Sequence, residues 1–387
     1  MSMGCFVVLL ILAAHSVFSE KICFKGRPKW STQNGSLIIN KQHKFHLKGV
    51  SWWGAQGPNL APLGTVGKKA KSIGFFLDWI QDNGFNAIRY PHSVKMVLEN
   101  PSTKLDPTAN PDLYQLKAVD LLEHIVDEAA KRGILIMLDQ HTLGYYQGSD
   151  LWYNDDYTAE QFQQSWDILL ERFANKWNVF ALDLLNEPHG TATWGSGDEK
   201  TDWDKEAARL INHIAEKHRK FKGLFFVEGI CCGFGSSQWF APMKNHPFST
   251  GTRRMDKRVV FSPHSYRPGR QKDTPLPKEM DKTWDQMWGW IEEETGNAVV
   301  LGEWGANTDN PQGKEWMQQF VKYLKGKCIT DTFYWSVKGD NDKGLLKPDW
   351  STPHAEKLAL VNSLQPNPSK IYKEGSQICV QTDDSAC

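Results

Sequence analysis

Short apolar runs rich in Val, Ile, Leu and Phe alternate along the chain with amphipathic segments of helical period. This alternation is typical of βα units that build a parallel sheet. Eight runs are candidate strands: KFHLKGVSWWG, NAIRYP, ILIMLDQH, VFALDLLNE, GLFFVEG, RVVFSPHSY, AVVLGEWG and TFYWSVKG. Eight strands with intervening helices over a few hundred residues predict a (β/α)₈ TIM barrel, in which functional side chains come from the carboxyl ends of the strands.

The main alternative to a barrel is a doubly wound open sheet. That fold normally carries a phosphate-binding Gly-rich turn after its first strand, and the corresponding segment here is SWWGAQGPNL. The glycines Gly229, Gly233 and Gly235 follow the fifth run with two cysteines among them, and we interpret that segment as a loop. The pattern therefore favours the barrel.

The segments between the strands carry helix start and stop signals. Asn110 followed by Pro111 predicts the start of a helix that ends before Gly133. Thr158 and Gln161 have the spacing of a capping box. Three glycines occupy predicted C′ positions between a helix and the next strand: Gly84, Gly133 and Gly296.

The N-terminal segment MSMGCFVVLLILAAHSVFSE has the length and apolar centre of a signal peptide. We expect residues 1–19 to be removed by cleavage before Glu20. No later stretch approaches the ~18 apolar residues of a transmembrane helix, so we expect a secreted chain without membrane contact. Because no linker, repeat or low-complexity tract marks a second unit, residues 20–387 are predicted to form a single catalytic domain, which we expect to be a monomer.

Six cysteines remain once Cys5 is removed with the signal peptide, which suits an oxidising compartment. They are Cys23, Cys231, Cys232, Cys328, Cys379 and Cys387. The pairing cannot be assigned from spacing, but the positions of Cys23, Cys379 and Cys387 suggest a disulfide clasp between the chain ends. Asn34-Gly35-Ser36 is an acceptor sequence for N-glycosylation.

Composition favours an uncharged partner. Lysine plus arginine and aspartate plus glutamate both number 45, so no long-range field draws the chain to nucleic acid or to an anionic membrane. The chain also contains 17 tryptophans, whose flat rings provide rigid apolar contact area.

Two glutamates end apolar runs that lie far apart in sequence, Glu187 in ALDLLNEPHG and Glu303 in AVVLGEWGA. Each alone could be a helix cap or an ion-pair partner. Together at strand ends they are the pair that a retaining glycoside hydrolase needs, one acid to protonate the leaving oxygen and one carboxylate to attack the anomeric carbon. Asn186 precedes the first and could hold a sugar 2-hydroxyl.

Other polar side chains end neighbouring strands. In a barrel His264 and Tyr266 would lie beside Glu303, where a phenol donor would favour the ionised carboxylate. Arg89 ends the second run and could hold Glu303 charged and fixed, although a lone arginine is more often structural. His141 and His92 raise the possibility of a metal, but no paired-ligand motif accompanies them, so we predict no metal and expect His141 to bind sugar hydroxyls.

Trp335 ends the eighth run and is expected to form the floor of the cleavage subsite. Aromatic residues in loops after strands are expected to line a cleft. These are Trp52, Trp53, Trp152, Tyr153, Trp194, Trp239 and Trp350. The tryptophans Trp79, Trp166, Trp288 and Trp316 fall in helical segments and are expected to pack. Glu228 in FVEG is a third acid, which we expect to be structural or to bind hydroxyls.

These motifs together resemble glycoside hydrolase family 5, and most of all its endo-β-1,4-glucanases. The resemblance covers nearly the whole mature chain and lies in G-V-S-W-W-G, I-R-Y-P, D-Q-H, L-W-Y, D-L-L-N-E-P-H, W-G-S-G-D, F-V-E-G, H-S-Y, L-G-E-W-G and F-Y-W-S with G-L-L-K-P-D-W. It implies that Glu187 is the acid/base and Glu303 the nucleophile. The supporting site it implies consists of Arg89, His141, Asn186, His264, Tyr266 and Trp335.

The sequence-based prediction is a secreted, retaining endo-β-1,4-glucanase that acts on cellulose or a related β-glucan without a cofactor. The loop after the eighth run reads S-V-K-G-D-N-D-K-G, where the relatives usually carry a longer loop, so the choice of glucan stays open. Alternatives are a family relative acting on mannan, xyloglucan or mixed-linkage glucan, a transglycosylase that uses the same intermediate, and a non-catalytic carbohydrate-binding barrel.

Overall fold

The computed structural model describes residues 20–146, 148–230, 238–239, 243, 255–267, 279–338 and 343–383. The predicted signal peptide and Cys231, Cys232 and Cys387 lie outside these ranges, and Trp239 is described by its backbone alone.

All eight predicted runs contain a strand of one curled, mainly parallel sheet. In chain order these barrel strands are Lys48–Ser51, Ala87–Ser93, Leu135–Thr142, Val179–Asp183, Leu224–Val227, Val259–Phe261 with His264–Tyr266, Ala298–Val299 with Leu301–Gly305, and Thr332–Tyr334. The sixth and seventh barrel strands are each interrupted. In the sixth strand the interruption contains Pro263, which has no amide hydrogen to donate to a neighbour.

The sheet closes on itself. The eighth strand pairs with the first, where Thr332 lies opposite Lys48. The sixth strand pairs with the fifth through Val259–Phe261 and with the seventh through His264, which lies opposite Glu303. All of these pairings are parallel, and the prediction of a (β/α)₈ barrel is confirmed.

Helices cover the outside of the barrel. Within the described ranges they are Ile73–Asp82, Val94–Glu99, Ala118–Lys131, Ala159–Phe173, Trp203–Lys217, Met280–Trp284, Ile291–Thr295, Pro311–Gly326 and Ala355–Leu364, with a 3₁₀ turn at Met255–Arg258 and a π turn at Asp285–Gly289. Their buried side chains form one continuous apolar layer against the strands. In the described part of the chain, none of the helices combines the length and the apolar character needed to cross a bilayer.

The sequence predicted one helix start wrongly and one correctly. The helix expected to start at Asn110 begins at Ala118, because the Asn110 side chain is buried and accepts a hydrogen bond from the backbone amide of Ile73, 2.9 Å away, at the start of another helix. The capping box between Thr158 and Gln161 is present.

The amino-terminal end of the barrel is closed by two small antiparallel sheets. One joins Glu20–Lys25 to Gln377–Thr382 and Lys370–Glu374, and the Cys23–Cys379 disulfide links its first two strands. The other consists of Trp30–Gln33, Ser36–Ile39 and His43–Lys44. Apolar side chains of both sheets pack with the barrel interior in a second core. The open carboxyl end of the barrel is therefore the place for a functional site.

Candidate active site

Polar side chains from six barrel strands converge at the carboxyl end of the barrel around Arg89, whose side chain is completely buried. Arg89 Nη1 lies 2.5 Å from Glu303 Oε1 and 2.9 Å from Asp139 Oδ2, and Nε donates to Asp183 Oδ2 at 2.9 Å. The remaining nitrogen, Nη2, donates to Asn186 Oδ1 at 2.7 Å and lies 3.4 Å from Glu228 Oε1. One guanidinium therefore joins residues of the second, third, fourth, fifth and seventh strands or of the segments just after them.

The acids around Arg89 are not equivalent. Burial raises the pKa of Asp183 to about 6 and raises the pKa of Glu228 well above its ordinary value, because Arg89 and His264 only partly offset the loss of water. Burial acts in the same direction on Asp139, but the charges of Arg89 and His141 outweigh it, and the pKa of Asp139 is lowered. The site therefore favours ionised Asp139 and more readily protonated Asp183 and Glu228.

Glu303 is held in its ionised form. Burial alone would raise the pKa of this carboxyl, but the charges of His264 and Arg89 exceed that effect and lower the pKa below its ordinary value. Tyr266 donates its hydroxyl to Glu303 Oε2 at 2.5 Å. Arg89 binds the other oxygen, so both oxygens of Glu303 are oriented as well as charged.

Glu187 lies just after the fourth strand and is more accessible than Glu303, with 20% of its side chain exposed against 5%. Its Oε1 lies 3.0 Å from His264 Nδ1. One carboxylate oxygen of Glu187, one of Glu303 and a ring nitrogen of His264 all lie within 4.8 Å of one another. The two glutamates that the sequence singled out are therefore neighbours.

His264 connects the two glutamates to the acid beneath them. Its Nε2 lies 3.0 Å from Glu228 Oε1, an ion-pair contact that is not aligned as a hydrogen bond, and its Nδ1 lies 3.8 Å from Glu303 Oε2. Burial by itself would lower the pKa of His264, but Glu228, Glu303 and Glu187 raise it well above its ordinary value. The three carboxyl groups around the ring therefore favour its charged form.

A wall of rings borders the two glutamates. His141 lies parallel to Trp335 at a centroid distance of 5.5 Å, and Trp53 stacks near Trp335 at 5.9 Å. Tyr146, which is half exposed, contacts Trp53 edge-on at a centroid distance of 6.5 Å and extends this group of rings. Flat rings in such a row suit the apolar faces of sugar rings.

Trp52, predicted to line the cleft, does not do so. It is 1% exposed, packs on Phe76 at 5.2 Å and donates its indole hydrogen to Leu63 O. Because side chains alternate along an extended segment, the cleft position belongs to its neighbour Trp53.

Trp152 is likewise buried, against Trp203, whereas Tyr153, Trp194 and Trp350 are partly exposed. Of the tryptophans predicted to pack, Trp166, Trp288 and Trp316 are fully buried, and Trp79 is half-buried and stacks on Phe85.

His92 is not positioned as a ligand of the site. It is fully buried against Trp166, and burial lowers the pKa of His92 to about 4.

Two sets of side chains at the site have donor atoms close enough for a metal, Asp183–Glu228–His264 and Glu187–His264–Glu303. Both sets share His264 and lie against Arg89, whose positive charge already serves these carboxylates and opposes a dication.

A further acid–histidine group lies outside the site, on the outer helices. Asp167 Oδ1 lies 2.9 Å from His213 Nε2 and 2.6 Å from His218 Nε2. Lys217 donates to the other oxygen of Asp167 at 2.7 Å and already supplies a counter-charge. This group is an ion-pair network that connects two helices.

The sequence analysis gave no role to Asp139 or Asp183. Both are completely buried and contact Arg89 directly. A signal was present, because each aspartate ends an apolar run, in I-M-L-D and F-A-L-D, as the two glutamates do. Glu228 was expected to be structural or to bind hydroxyls, and its carboxyl is enclosed and accepts the amide hydrogen of Glu187 at 2.8 Å.

Comparison with known proteins places this arrangement in a family. Residues 40–341 match the family model described as cellulase, glycosyl hydrolase family 5. An endoglucanase of Paenibacillus polymyxa is 32% identical over 342 residues, which cover 84% of this chain and 83% of the relative. The major extracellular endoglucanase of Xanthomonas campestris pv. campestris is 30% identical over 375 residues, which cover 92% of this chain and 73% of the relative.

Solved structures agree with this result. The endocellulase of Pyrococcus horikoshii, in a complex with cellotetraose, superimposes with a TM-score of 0.78 at 27% identity. The alignment covers 88% of this chain and 99% of that protein.

Replacement of Arg89 tests the buried charge network. We expect Arg89→Met to lower the free energy of unfolding by about 3–5 kcal/mol near pH 8, because carboxylates are left buried without a counter-charge. Asp139 and Glu303 have lowered pKa values, so their contribution is present above their unfolded-state pKa and is lost as pH falls. The deficit should therefore shrink near pH 5, where the uncompensated carboxyls of the variant become protonated. Urea unfolding of the wild type and of Arg89→Met at pH 8 and at pH 5 measures this difference in the free energy of unfolding.

The matched control for this experiment is Arg132→Met. Arg132 forms ion pairs with Asp78 and Glu128 on the outer helices, where water screens them. We expect a loss of at most about 1 kcal/mol there. A deficit in Arg89→Met that is equal at both pH values would contradict the charge explanation.

Proposed function

The chain belongs to glycosyl hydrolase family 5, the cellulase family, and on that premise we propose that it is an endo-β-1,4-glucanase that cleaves internal bonds of cellulose or a related soluble β-glucan with retention of configuration. The predictions of the family and of a glycoside hydrolase are confirmed. The observation that carries the finer proposal is the proximity of Glu187 and Glu303, with carboxylate oxygens within 4.8 Å, at the carboxyl end of the barrel.

The spacing supports retention. Retaining enzymes hold their two carboxyl groups about 5–5.5 Å apart, whereas inverting enzymes leave roughly 6.5–9.5 Å for a water molecule. In the first step Glu303 attacks the anomeric carbon while Glu187 gives its proton to the departing glycosidic oxygen. In the second step Glu187 takes a proton from water, which attacks the same carbon and releases Glu303. Glu187 thereby regains its proton.

The surroundings support this division of roles. Glu303 suits the role of nucleophile because Arg89 and Tyr266 orient both of its oxygens and its lowered pKa keeps it ionised. Glu187 is the better proton donor and acceptor because its carboxyl is more accessible and can reach both the leaving group and water. Asn186, held by Arg89, has its amide available for a sugar hydroxyl.

The aromatic wall supports a β-glucan as substrate. Trp335, Trp53 and Tyr146 form a chain of contacting rings next to His141, and such rings suit contact with the apolar faces of glucose units. The relative from Pyrococcus horikoshii binds cellotetraose. His141, fixed by its contact with Asp139 at 2.8 Å, is available for sugar hydroxyls in the proposed complex.

Mannan, xyloglucan and mixed-linkage glucan are the alternative substrates, because loops at the strand ends decide between them and the loop after the eighth strand falls only partly within the described residues. A transglycosylase would share the covalent intermediate and transfer it to a sugar. A non-catalytic binding protein is disfavoured, since sugar binding alone has no use for two neighbouring carboxylates in a partly buried site.

We also propose that the protein is secreted as one catalytic domain and acts as a monomer. The apolar N-terminal segment, the Cys23–Cys379 disulfide and the exposed Asn34 of the glycosylation sequence support secretion. The relative from Xanthomonas campestris is described as extracellular.

Substrate choice can be tested with polysaccharides. We expect a fast fall in viscosity and release of reducing ends on carboxymethylcellulose and little change on galactomannan. Glu187→Gln should abolish the activity, because its amide cannot give up a proton. The matched control is Glu206→Gln, the same change at a buried acid on an outer helix, which should keep wild-type activity. Cleavage of galactomannan alone would identify a mannanase instead. Absence of activity on both substrates would contradict the proposed endoglucanase function.

The mechanism can be tested by product stereochemistry. Proton NMR during hydrolysis of cellopentaose should show the β-anomer first, because two successive inversions restore the configuration. Glu303→Ala should lower kcat by at least about 10⁴-fold while the circular dichroism spectrum stays unchanged. Initial appearance of the α-anomer would refute the retaining mechanism, and products longer than the substrate would indicate transfer to sugar.

Secretion can be tested by expression in a eukaryotic host with the full N-terminal segment. We expect the protein in the medium, with Edman sequencing starting at Glu20, because the residues before it have the character of a cleavable signal. Replacing Leu9 and Leu10 by aspartate should retain the chain in the cell. Protein in the medium that still starts at Met1 would contradict signal cleavage.

A further inference from the structure

The backbone at Glu187 has an unusual conformation. Its φ angle is +50°, in the left-handed region that residues with a side chain seldom adopt. Such a conformation persists only where surrounding contacts impose it, and it is concentrated at functional sites. The contacts that hold the Glu187 backbone therefore also determine where its carboxyl points.

Two side chains hold this backbone. The amide of Glu187 donates to Glu228 Oε2 at 2.8 Å, from below the site. The carbonyl oxygen of Glu187 accepts a hydrogen bond from His189 Nδ1 at 2.7 Å. Both peptide groups that flank Glu187 are thus fixed by side chains, one of them supplied by the residue two positions further along the chain.

His189 is in turn anchored by Asp150, which lies on the loop after the third strand. The His189 Nε2 atom lies 3.2 Å from Asp150 Oδ1, and the His189 amide donates to the Asp150 carbonyl at 3.2 Å. The other carboxylate oxygen, Oδ2, accepts from the Thr191 amide at 3.1 Å. Gly190 allows this approach, because a Cβ atom at that position would lie 2.0 Å from Asp150 Oδ2.

The two contacts of the His189 ring differ in kind. The Glu187 carbonyl oxygen can only accept, so Nδ1 of His189 donates to it. The contact of Nε2 with Asp150 is an ion-pair distance, and it holds the ring from its other side. The side chains of His189 and Asp150 are 39% and 45% exposed, so solvent screens their attraction. The pair therefore orients the His189 ring more than it stabilises the fold.

We infer that His189 and Asp150 are positioning residues that aim the carboxyl of Glu187 at the glycosidic oxygen. This inference rests on the proposed function, in which Glu187 is the acid/base. Neither residue contacts the reacting atoms, and both act through the backbone of Glu187. Their loss should therefore impair proton transfer to the leaving group and leave the attack by Glu303 largely intact.

Leaving-group dependence separates this role from a merely structural one. A 2,4-dinitrophenolate leaves without a proton, whereas the sugar released from cellopentaose needs one. We expect His189→Ala to lower kcat/KM for cellopentaose about 10- to 100-fold, the size of effect that a misplaced catalytic group produces. For 2,4-dinitrophenyl β-cellobioside the same variant should change kcat/KM by less than about threefold, because kcat/KM reports only the first chemical step.

Two further variants keep the test decisive. Asp150→Asn keeps the shape of the anchor and removes its charge, and should show the same selective loss even if His189→Ala folds poorly. His189→Gln keeps an amide donor for the Glu187 carbonyl and should recover part of the activity on cellopentaose. The matched control is His213→Ala, which breaks a similar histidine–aspartate pair on the outer helices and should leave both rates unchanged.

Glu187→Gln, assayed on both substrates, separates the proposed acid/base role of Glu187 from the proposed positioning role of His189 and Asp150. If it loses activity on cellopentaose far more than on the dinitrophenyl substrate, the acid role of Glu187 holds. Equal losses on both substrates, or no loss, in His189→Ala and Asp150→Asn would then overturn the positioning inference alone. If Glu187→Gln itself shows no dependence on the leaving group, the assignment of Glu187 fails, and the inference fails with it.

Discussion

The burial of Arg89 is the constraint on which the site depends. A guanidinium without water is stable only when carboxylates surround it, and the structure supplies Asp139, Asp183, Glu228 and Glu303 from four different strands or strand ends. The same contacts connect those strand ends to one another. An apolar residue at this position would leave these buried carboxylates without a counter-charge and could not keep Glu303 ionised.

Two chemically identical side chains acquire different roles from their surroundings. Glu303 is enclosed, and both of its oxygens are held, by Arg89 and by Tyr266. Glu187 is held mainly through its backbone, with one carboxylate oxygen near His264. A fixed, charged carboxylate suits attack on carbon, and an accessible one suits exchange of a proton with both a leaving group and water.

The two ends of the barrel have separate functions. The amino-terminal end is closed by two antiparallel sheets and by the Cys23–Cys379 disulfide, which ties the two ends of the described chain together. Apolar rings pack at that end, with Trp30 against Phe45 and Phe180. The Arg89 network and the partly exposed rings of Trp335 and Trp53 lie at the opposite end, where loops can differ between relatives without loss of the core.

The sequence by itself determined the barrel and the two glutamates. Apolar runs of strand length that alternate with amphipathic helices are compatible with few folds. An acidic residue at the end of such a run indicates a functional site, because a carboxylate is costly to bury elsewhere. The helical period of apolar residues also predicted correctly that most tryptophans in helices are buried, because the face of a helix on which a residue lies follows from the local sequence.

Only the tertiary structure decided which polar groups meet. Asp139 and Asp183 look like ordinary strand ends until the closed sheet places them on Arg89, and Trp52 and Trp53 differ by one position that directs one ring into the core and the other to the cleft. The anchoring of His189 by Asp150 joins two loops about forty residues apart. Such contacts depend on the path of the chain between distant segments, which no local pattern encodes.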